Sequence, residues 1–183
     1  KLIDHFNDVV ERILSANKIN KDDLIVDVGS NDGTLLQCFS NNGYKNILGI
    51  DPASEIVDQA NREGIKTIKG YMNIGSAKNI FLKYGKAKII TANNVFAHAD
   101  NLKEMLESIK LLMDQNSIFV FEVSYLLDVV EKMLIGTIFH EHLCYHSVKS
   151  LKYFFEVNGL ELIKVDRGPE QGGSIIGYVR KKN

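Results

Sequence analysis

The sequence predicts an α/β domain built on a seven-stranded, mostly parallel sheet with helices on both faces, and three observations predict it. Short β-branched apolar runs alternate with helix-periodic segments through the first two thirds of the chain. A glycine-bearing turn follows the first of those runs. The last third breaks the alternation with two strand-like runs joined by a turn, the pattern of a closing antiparallel pair.

Leu2, Ile3, Phe6, Val9, Val10, Ile13 and Leu14 recur at helical spacing and predict an amphipathic opening helix that stops near Asn17. Residues 24–28 are a β-branched apolar run, broken by Gly29-Ser30-Asn31-Asp32-Gly33 and followed by Leu35, Leu36 and Phe39 at helical spacing. That is strand, glycine loop, helix. The pattern repeats as strand 47–50 with helix 54–62, then strand 66–69 with helix 74–84. Residues 88–92 and 118–123 supply two more strands, with a helix over 102–113 between them. Right-handed crossovers between parallel strands lay their helices on both faces of the sheet. A helix over 148–157 stops at Asn158-Gly159, where glycine suits the left-handed conformation. Residues 160–165 and 175–179 then predict two strands joined by the turn-rich segment 167–173. No repeat, low-complexity tract or linker divides the chain, so one domain over 1–183 accounts for it.

At 183 residues, 45% hydrophobic and 25% charged, the chain is long and apolar enough to bury a continuous core. The formal net charge of −1, with no basic run longer than Arg180-Lys181-Lys182, disfavours nucleic acid as a partner. No apolar stretch approaches the roughly 20 residues of a membrane span, and the start is not a signal peptide; the expectation is a cytosolic protein without a membrane partner. Cys38 and Cys144 are too few for a disulfide scaffold or a cysteine zinc site. The chain opens on Lys1, and both ends read as cut from something longer.

Backbone must approach a ligand closely at the end of a first parallel strand, which is where Gly29 and Gly33 fall. Their Gly-x-x-x-Gly spacing lacks the third glycine of a pyrophosphate loop and disfavours a dinucleotide. Asp27 precedes the loop and Asp51 ends the second strand, where a carboxylate can accept hydrogen bonds from ribose hydroxyls. A glycine pair is also a common turn, and an aspartate after a strand a common helix cap. Taken in order, with an acidic residue one strand-helix-strand unit on, these residues favour a nucleoside-bearing ligand. Joined to a closing antiparallel pair, they predict the Rossmann-like fold of class I methyltransferases, with S-adenosylmethionine (SAM) as cofactor and S-adenosylhomocysteine as product. Asp27, Gly29, Asn31, Gly33, Asp51, Pro52, Tyr71, Met72 and Asn93 are then the candidate cofactor residues. Asp27 would meet the cationic amino-acid portion and Tyr71 and Met72 the adenine, the alternative for that pair being plain core. His98 lies in the loop after the fourth strand, where methyl transfer is expected; a lone histidine there also serves as a cap.

Residues 137–146, Thr-Ile-Phe-His-Glu-His-Leu-Cys-Tyr-His, pack three histidines and a glutamate into one short segment. His140, His142 and His146 are a loose match to zinc spacings, and histidines also satisfy buried backbone groups. The third reading is general-base catalysis, since a histidine beside a glutamate removes a proton at neutral pH.

Residues 26–36, 49–53 and 94–98, with Thr137-Ile138-Phe139-His140-Glu141-His142-Leu143 and Gly172-Gly173-Ser174, together resemble a known family across the whole chain. It comprises the SAM-dependent C-methyltransferases of nucleotide-linked keto-deoxysugars. The resemblance implies that His142 removes the proton beside the sugar ketone, that Glu141 assists, and that His98 lines the sugar pocket. No metal is expected in the site. Phe139 stands where the family motif has tyrosine, and the flanking domains usual in the family fall outside this chain. An O-methyltransferase and a non-catalytic domain of the same fold are the alternatives.

Overall fold

The computed structural model describes residues 2–140 and 142–182. Its helices are α1 (Leu2–Ala16), α2 (Thr34–Asn41), α3 (Ser54–Arg62), α4 (Ile74–Tyr84), α5 (Leu102–Leu112), α6 (Leu126–Glu131) and α7 (Val148–Val157). Its strands are β1 (Ile25–Val28), β2 (Ile47–Asp51), β3 (Thr67–Lys69), β4 (Ile89–Asn93), β5 (Ile118–Ser124), β6 (Leu160–Gly168) and β7 (Ser174–Lys181). They form one seven-stranded sheet in the order β3-β2-β1-β4-β5-β7-β6. The first five strands are parallel, and β7 runs antiparallel between β5 and β6. This is the predicted class I methyltransferase topology.

Successive side chains of a strand point to opposite faces, so each buried strand feeds two cores. Val26, Val28, Leu48, Ile50, Ile90, Phe119 and Phe121 face α4, α5 and α7, which bury Ile80, Leu106, Ile109 and Phe155 against them. Ile25, Ile47, Ile89, Val120 and Ile176 face the other way, onto Val9, Val10 and Ile13 of α1 and Leu36 and Phe39 of α2. The amphipathic stripe of α1 is thus spent on the sheet. Four phenylalanines tie the first layer together: Phe96 stacks on Phe121 at 5.5 Å, and Phe155 of α7 reaches Phe121 at 5.4 Å and Phe119 at 6.4 Å.

Two elements differ from the sequence reading. Helix α6 was not expected, because it buries Asp128 beside Val129 and an acid on a buried face breaks the apolar pattern. Arg167 and Lys132 both reach Asp128 Oδ1, at 2.7 and 2.8 Å, and hold its carboxyl below the ordinary carboxylate range. Strand β6 runs on to Gly168 rather than ending at Val165, since β7 offers partners for Asp166, Arg167 and Gly168 in register. Polar Asp166 and Arg167 look like a turn in the sequence; pairing makes them strand.

Between β6 and β7 the chain passes close against α6. A Cβ on Gly173 would lie 2.5 Å from Asp128 Cβ, and one on Gly172 2.7 Å from Leu134 Cδ1. The carbonyl of Gly173 accepts the Tyr125 amide at 3.0 Å, and Lys132 Nζ donates to the carbonyl of Gly172 at 2.7 Å. Gly172 and Gly173 are glycine because Leu134, just after α6, and Asp128 of α6 leave no room for a side chain.

Replacing Gly173 with alanine therefore drives a methyl into Asp128 and is expected to cost about 1–3 kcal/mol, the range for overpacking. Phe155→Ala opens a cavity in the aromatic layer and is expected to cost about 3–5 kcal/mol. Urea unfolding midpoints measure both, and an unchanged midpoint in either variant contradicts the packing described.

Candidate functional site

A cavity of about 690 Å³ opens at the carboxyl ends of β1, β2 and β4. Strand order reverses between β1 and β4, which leaves a crevice there in any open α/β sheet. Asp27, Gly29, Asn31, Asp51, Pro52, Tyr71, Met72, Asn93 and His98 all line it.

Gly29 is left-handed at φ 66°, and a Cβ there would lie 2.6 Å from Val95 Cγ2. Its amide donates to the Ile50 carbonyl at 2.8 Å, which ties the loop to β2. Gly33 is also left-handed, at φ 82°, and a Cβ there would meet Ile65 Cγ2 at 2.6 Å. Glycine thus suits the packing of α2 against the segment before β3.

Asp51 accepts the Asn31 amide at 3.0 Å on one oxygen and the Ala53 amide at 2.9 Å on the other. Each carboxylate oxygen keeps a further lone pair for a hydroxyl donor. Asp27 is buried at 3% exposure and accepts the Thr91 hydroxyl at 2.6 Å. Burial pushes its carboxyl up to about 7; the Thr91 hydrogen bond opposes this and the nearby Asp51 charge adds to it. Met72 is buried at 6% exposure and its neighbour Tyr71 is 73% exposed, and both line the cavity.

Several lining residues had no motif to announce them. Leu2 and Phe6 of α1 wall the cavity, as do Asp100 and Glu104. The helical period found Leu2 and Phe6 but could not say which edge of the cavity they would reach. With Asp27, Asp32 and Asp51 the described lining residues carry five carboxyl groups and no lysine or arginine, which favours one sign of charge. Beside it, His5 of α1 faces two more acids, with Nε2 2.7 Å from Glu122 Oε2 and Nδ1 3.3 Å from Glu170 Oε1. Ser174 donates to the other Glu122 oxygen at 2.7 Å, so this cluster latches α1 to β5 and β7.

The 137–146 segment folds over the turn after β4. Leu143 donates its amide to the Ala97 carbonyl at 2.7 Å, and Cys144 Sγ approaches the Phe96 carbonyl at 3.4 Å. This brings the ring of His142 to 4.9 Å from that of His98, edge to face. His98 lines the cavity, and His142 stands one ring behind it. Phe139 lies over His142 at 4.1 Å, where the missing hydroxyl leaves a purely apolar cover. His142 Nδ1 is 2.8 Å from the Thr137 carbonyl. His146 turns away, is buried, and meets Cys144 Sγ at 3.3 Å, and His140 is exposed. Burial pushes the His146 imidazole below its ordinary range and the Cys144 thiol above its own. The three histidines are therefore not gathered as a ligand set among the described residues. Glu141, expected to assist, lies outside the described residues.

Comparison with known proteins fits this geometry. A family model described as a methyltransferase domain matches residues 3–165. The C-methyltransferase NovU of Streptomyces niveus is 31% identical over 177 residues, which cover 97% of this chain and 42% of that protein. The chain thus spans less than half the length of this curated relative. Among solved structures, the magnesium protoporphyrin IX methyltransferase of Synechocystis PCC 6803 with bound SAH superposes with a TM-score of 0.74 at 15% identity, over 98% of this chain and 83% of that one. YcgJ from Bacillus subtilis superposes with a TM-score of 0.71 at 12% identity, over 98% and 99% of the two chains. With its sheet order, its crevice and this match over most of its length, the chain belongs to the methyltransferase domain family, whose methyl donor is SAM.

Proposed function

We propose that this domain belongs to a C-methyltransferase that acts on a nucleotide-linked keto-deoxysugar, with SAM in the cavity at the Gly29 loop and His142 as the general base. The observation that carries the reading is the edge-to-face contact of His142 with His98 on the rim of that cavity. It sets a base beside the place where a methyl group is presented. The relative NovU is named a C-methyltransferase, which supports transfer to carbon.

Charge supports the donor site. SAM carries a sulfonium and an ammonium, and the described lining residues offer carboxylates without a competing lysine or arginine. Asp27 would hold the amino-acid portion, Asp51 the ribose hydroxyls, and Tyr71 and Met72 would flank the adenine, while Gly29, Asn31, Pro52 and Asn93 shape the wall. When bound, SAM supplies an electrophilic methyl group. His142 takes the proton from the sugar carbon next to the ketone, since only a carbon beside a carbonyl is acidic enough to lose one to an imidazole. The carbanion is delocalised onto the ketone oxygen, and His98, which lines the cavity, would donate to it. Glu141 would assist His142. Holding both reactants in one crevice removes the entropic cost of their encounter. The flanking parts of the full-length protein would hold the nucleotide, because the acidic cavity repels phosphates.

Incubating the full-length protein with SAM and a nucleotide-linked 4-keto sugar in deuterated water is expected to give a carbon-methylated product and deuterium at the neighbouring carbon. His142→Asn is expected to abolish both while SAM binding persists. A product methylated on oxygen, or full activity in that variant, rejects the reading.

The raised Asp27 pKa carries a pH consequence. A carboxyl whose pKa is higher folded than unfolded stabilises the fold at pH below about 4, and that contribution is lost as pH rises through about 7. Ionised Asp27 then costs the ligand-free domain on the order of a few kcal/mol, and cationic SAM offsets it. Asp27→Asn is expected to raise the ligand-free melting temperature at pH 8 and to weaken SAM binding tenfold or more, on the order of one charge-assisted hydrogen bond. Calorimetry with and without SAM measures both, and a variant that loses stability at pH 8 contradicts the assignment.

A further inference from the structure

Two donors converge on one backbone oxygen behind the proposed base. The Thr137 carbonyl accepts from the Tyr145 hydroxyl at 3.1 Å, and His142 Nδ1 lies 2.8 Å from the same atom. A carbonyl oxygen has two lone pairs and can accept both bonds, and it can donate none. The hydrogen of the His142 contact must therefore sit on Nδ1. In the neutral imidazole Nε2 is then the bare nitrogen.

The ring is held in this setting on several sides. Phe139 lies over it at 4.1 Å and 36°, the His98 ring meets it at 4.9 Å and 62°, and the Tyr145 ring meets it at 6.0 Å and 83°. Among the described residues Nε2 has no hydrogen-bond partner. Thr137 ends a short 3-10 turn, Ile135–Thr137, in which its amide and hydroxyl both point back to the Leu134 carbonyl, at 3.0 and 2.7 Å. Its own carbonyl is thus left for His142 and Tyr145. A free histidine side chain modestly favours the Nε2–H form, so the form with a bare Nε2 predominates while that carbonyl stays aimed at Nδ1.

We infer that Tyr145 is a positioning residue: through the Thr137 carbonyl it selects the His142 tautomer whose Nε2 can accept a proton. The inference rests on His142 being the base. Tyr145 never meets the acceptor in this scheme. Its hydroxyl pins the Thr137 carbonyl, and the carbonyl in turn orients the ring. A tautomer held in place before the acceptor arrives spares the enzyme a proton shift during the reaction.

The test is nitrogen-15 NMR of the full-length protein labelled at histidine, without acceptor, with the His142→Asn spectrum identifying the His142 resonances. The wild type is expected to show neutral His142 with Nδ1 protonated and Nε2 bare. Tyr145→Phe is expected to shift the ratio toward the other tautomer about two- to tenfold, the range of one neutral hydrogen bond. A fluorinated tyrosine in place of Tyr145, a stronger donor of nearly the same shape, is expected to shift it the opposite way; a merely structural role would not yield opposite signs. Nε2 protonated in the wild type overturns the inference without any variant. Equal ratios in all three proteins overturn the part played by Tyr145. Because the acceptor is absent, these outcomes are separate from the methylation assay: the tautomer found as expected in an enzyme with no carbon exchange rejects His142 as base and leaves the hydrogen-bond relay standing.

Discussion

Strand β7 enters the sheet beside β5 at Ser174 and runs back against it to Lys181, and that reversal places the loop before it at the same end of the sheet as the cavity. A parallel seventh strand would bring the loop out at the opposite edge. Here Gly172 and Gly173 lie against Leu134 and Asp128, and Ser174 bonds Glu122. Helix α6 and the segment that follows it are braced from the C-terminal side, and the segment carries His142. A residue near position 173 thus determines where a residue near 142 can stand.

The second organising constraint is charge. The cavity gathers carboxyl groups from the ends of β1 and β2, from the glycine loop and from the start of α5, with no lysine or arginine among its described lining residues. Asp27 and Asp51 are buried, and burial raises the Asp27 carboxyl to about 7, because an ion there loses its hydration. A residue that weakens the empty protein and is met by a cationic ligand is a common bargain at functional sites. The histidine end is arranged differently. Its rings are positioned by carbonyls, aromatic contacts and a thiol rather than by charged partners, which suits the proton exchange proposed for it.

Resemblance pointed to His142 and His98 as partners although 44 positions separate them in the chain. The fold brings their rings into contact because Leu143 bonds the Ala97 carbonyl. The spacing of three histidines left a metal reading open; among the described residues their side chains diverge, His142 facing a carbonyl and His146 a thiol. Gly33 carries a second constraint that its motif did not announce: Ile65, distant in sequence, packs behind it and leaves no room for a side chain.

Local patterns alone determined the seven strands, the helices of the crossovers, the turn at Gly29 and the acids at the ends of β1 and β2. Each depends on the period of neighbouring side chains or on what one turn can accommodate, and such causes act within a few residues. Tertiary structure decided helix α6, the extension of β6 through Asp166 and Arg167, the contribution of Leu2 and Phe6 to the cavity, and the pairing of Thr137 with His142 and Tyr145. Those depend on partners far away in the chain, or on a backbone carbonyl that every residue possesses. A buried acid becomes legible only once its arginine arrives, and a carbonyl has no letter of its own in the sequence.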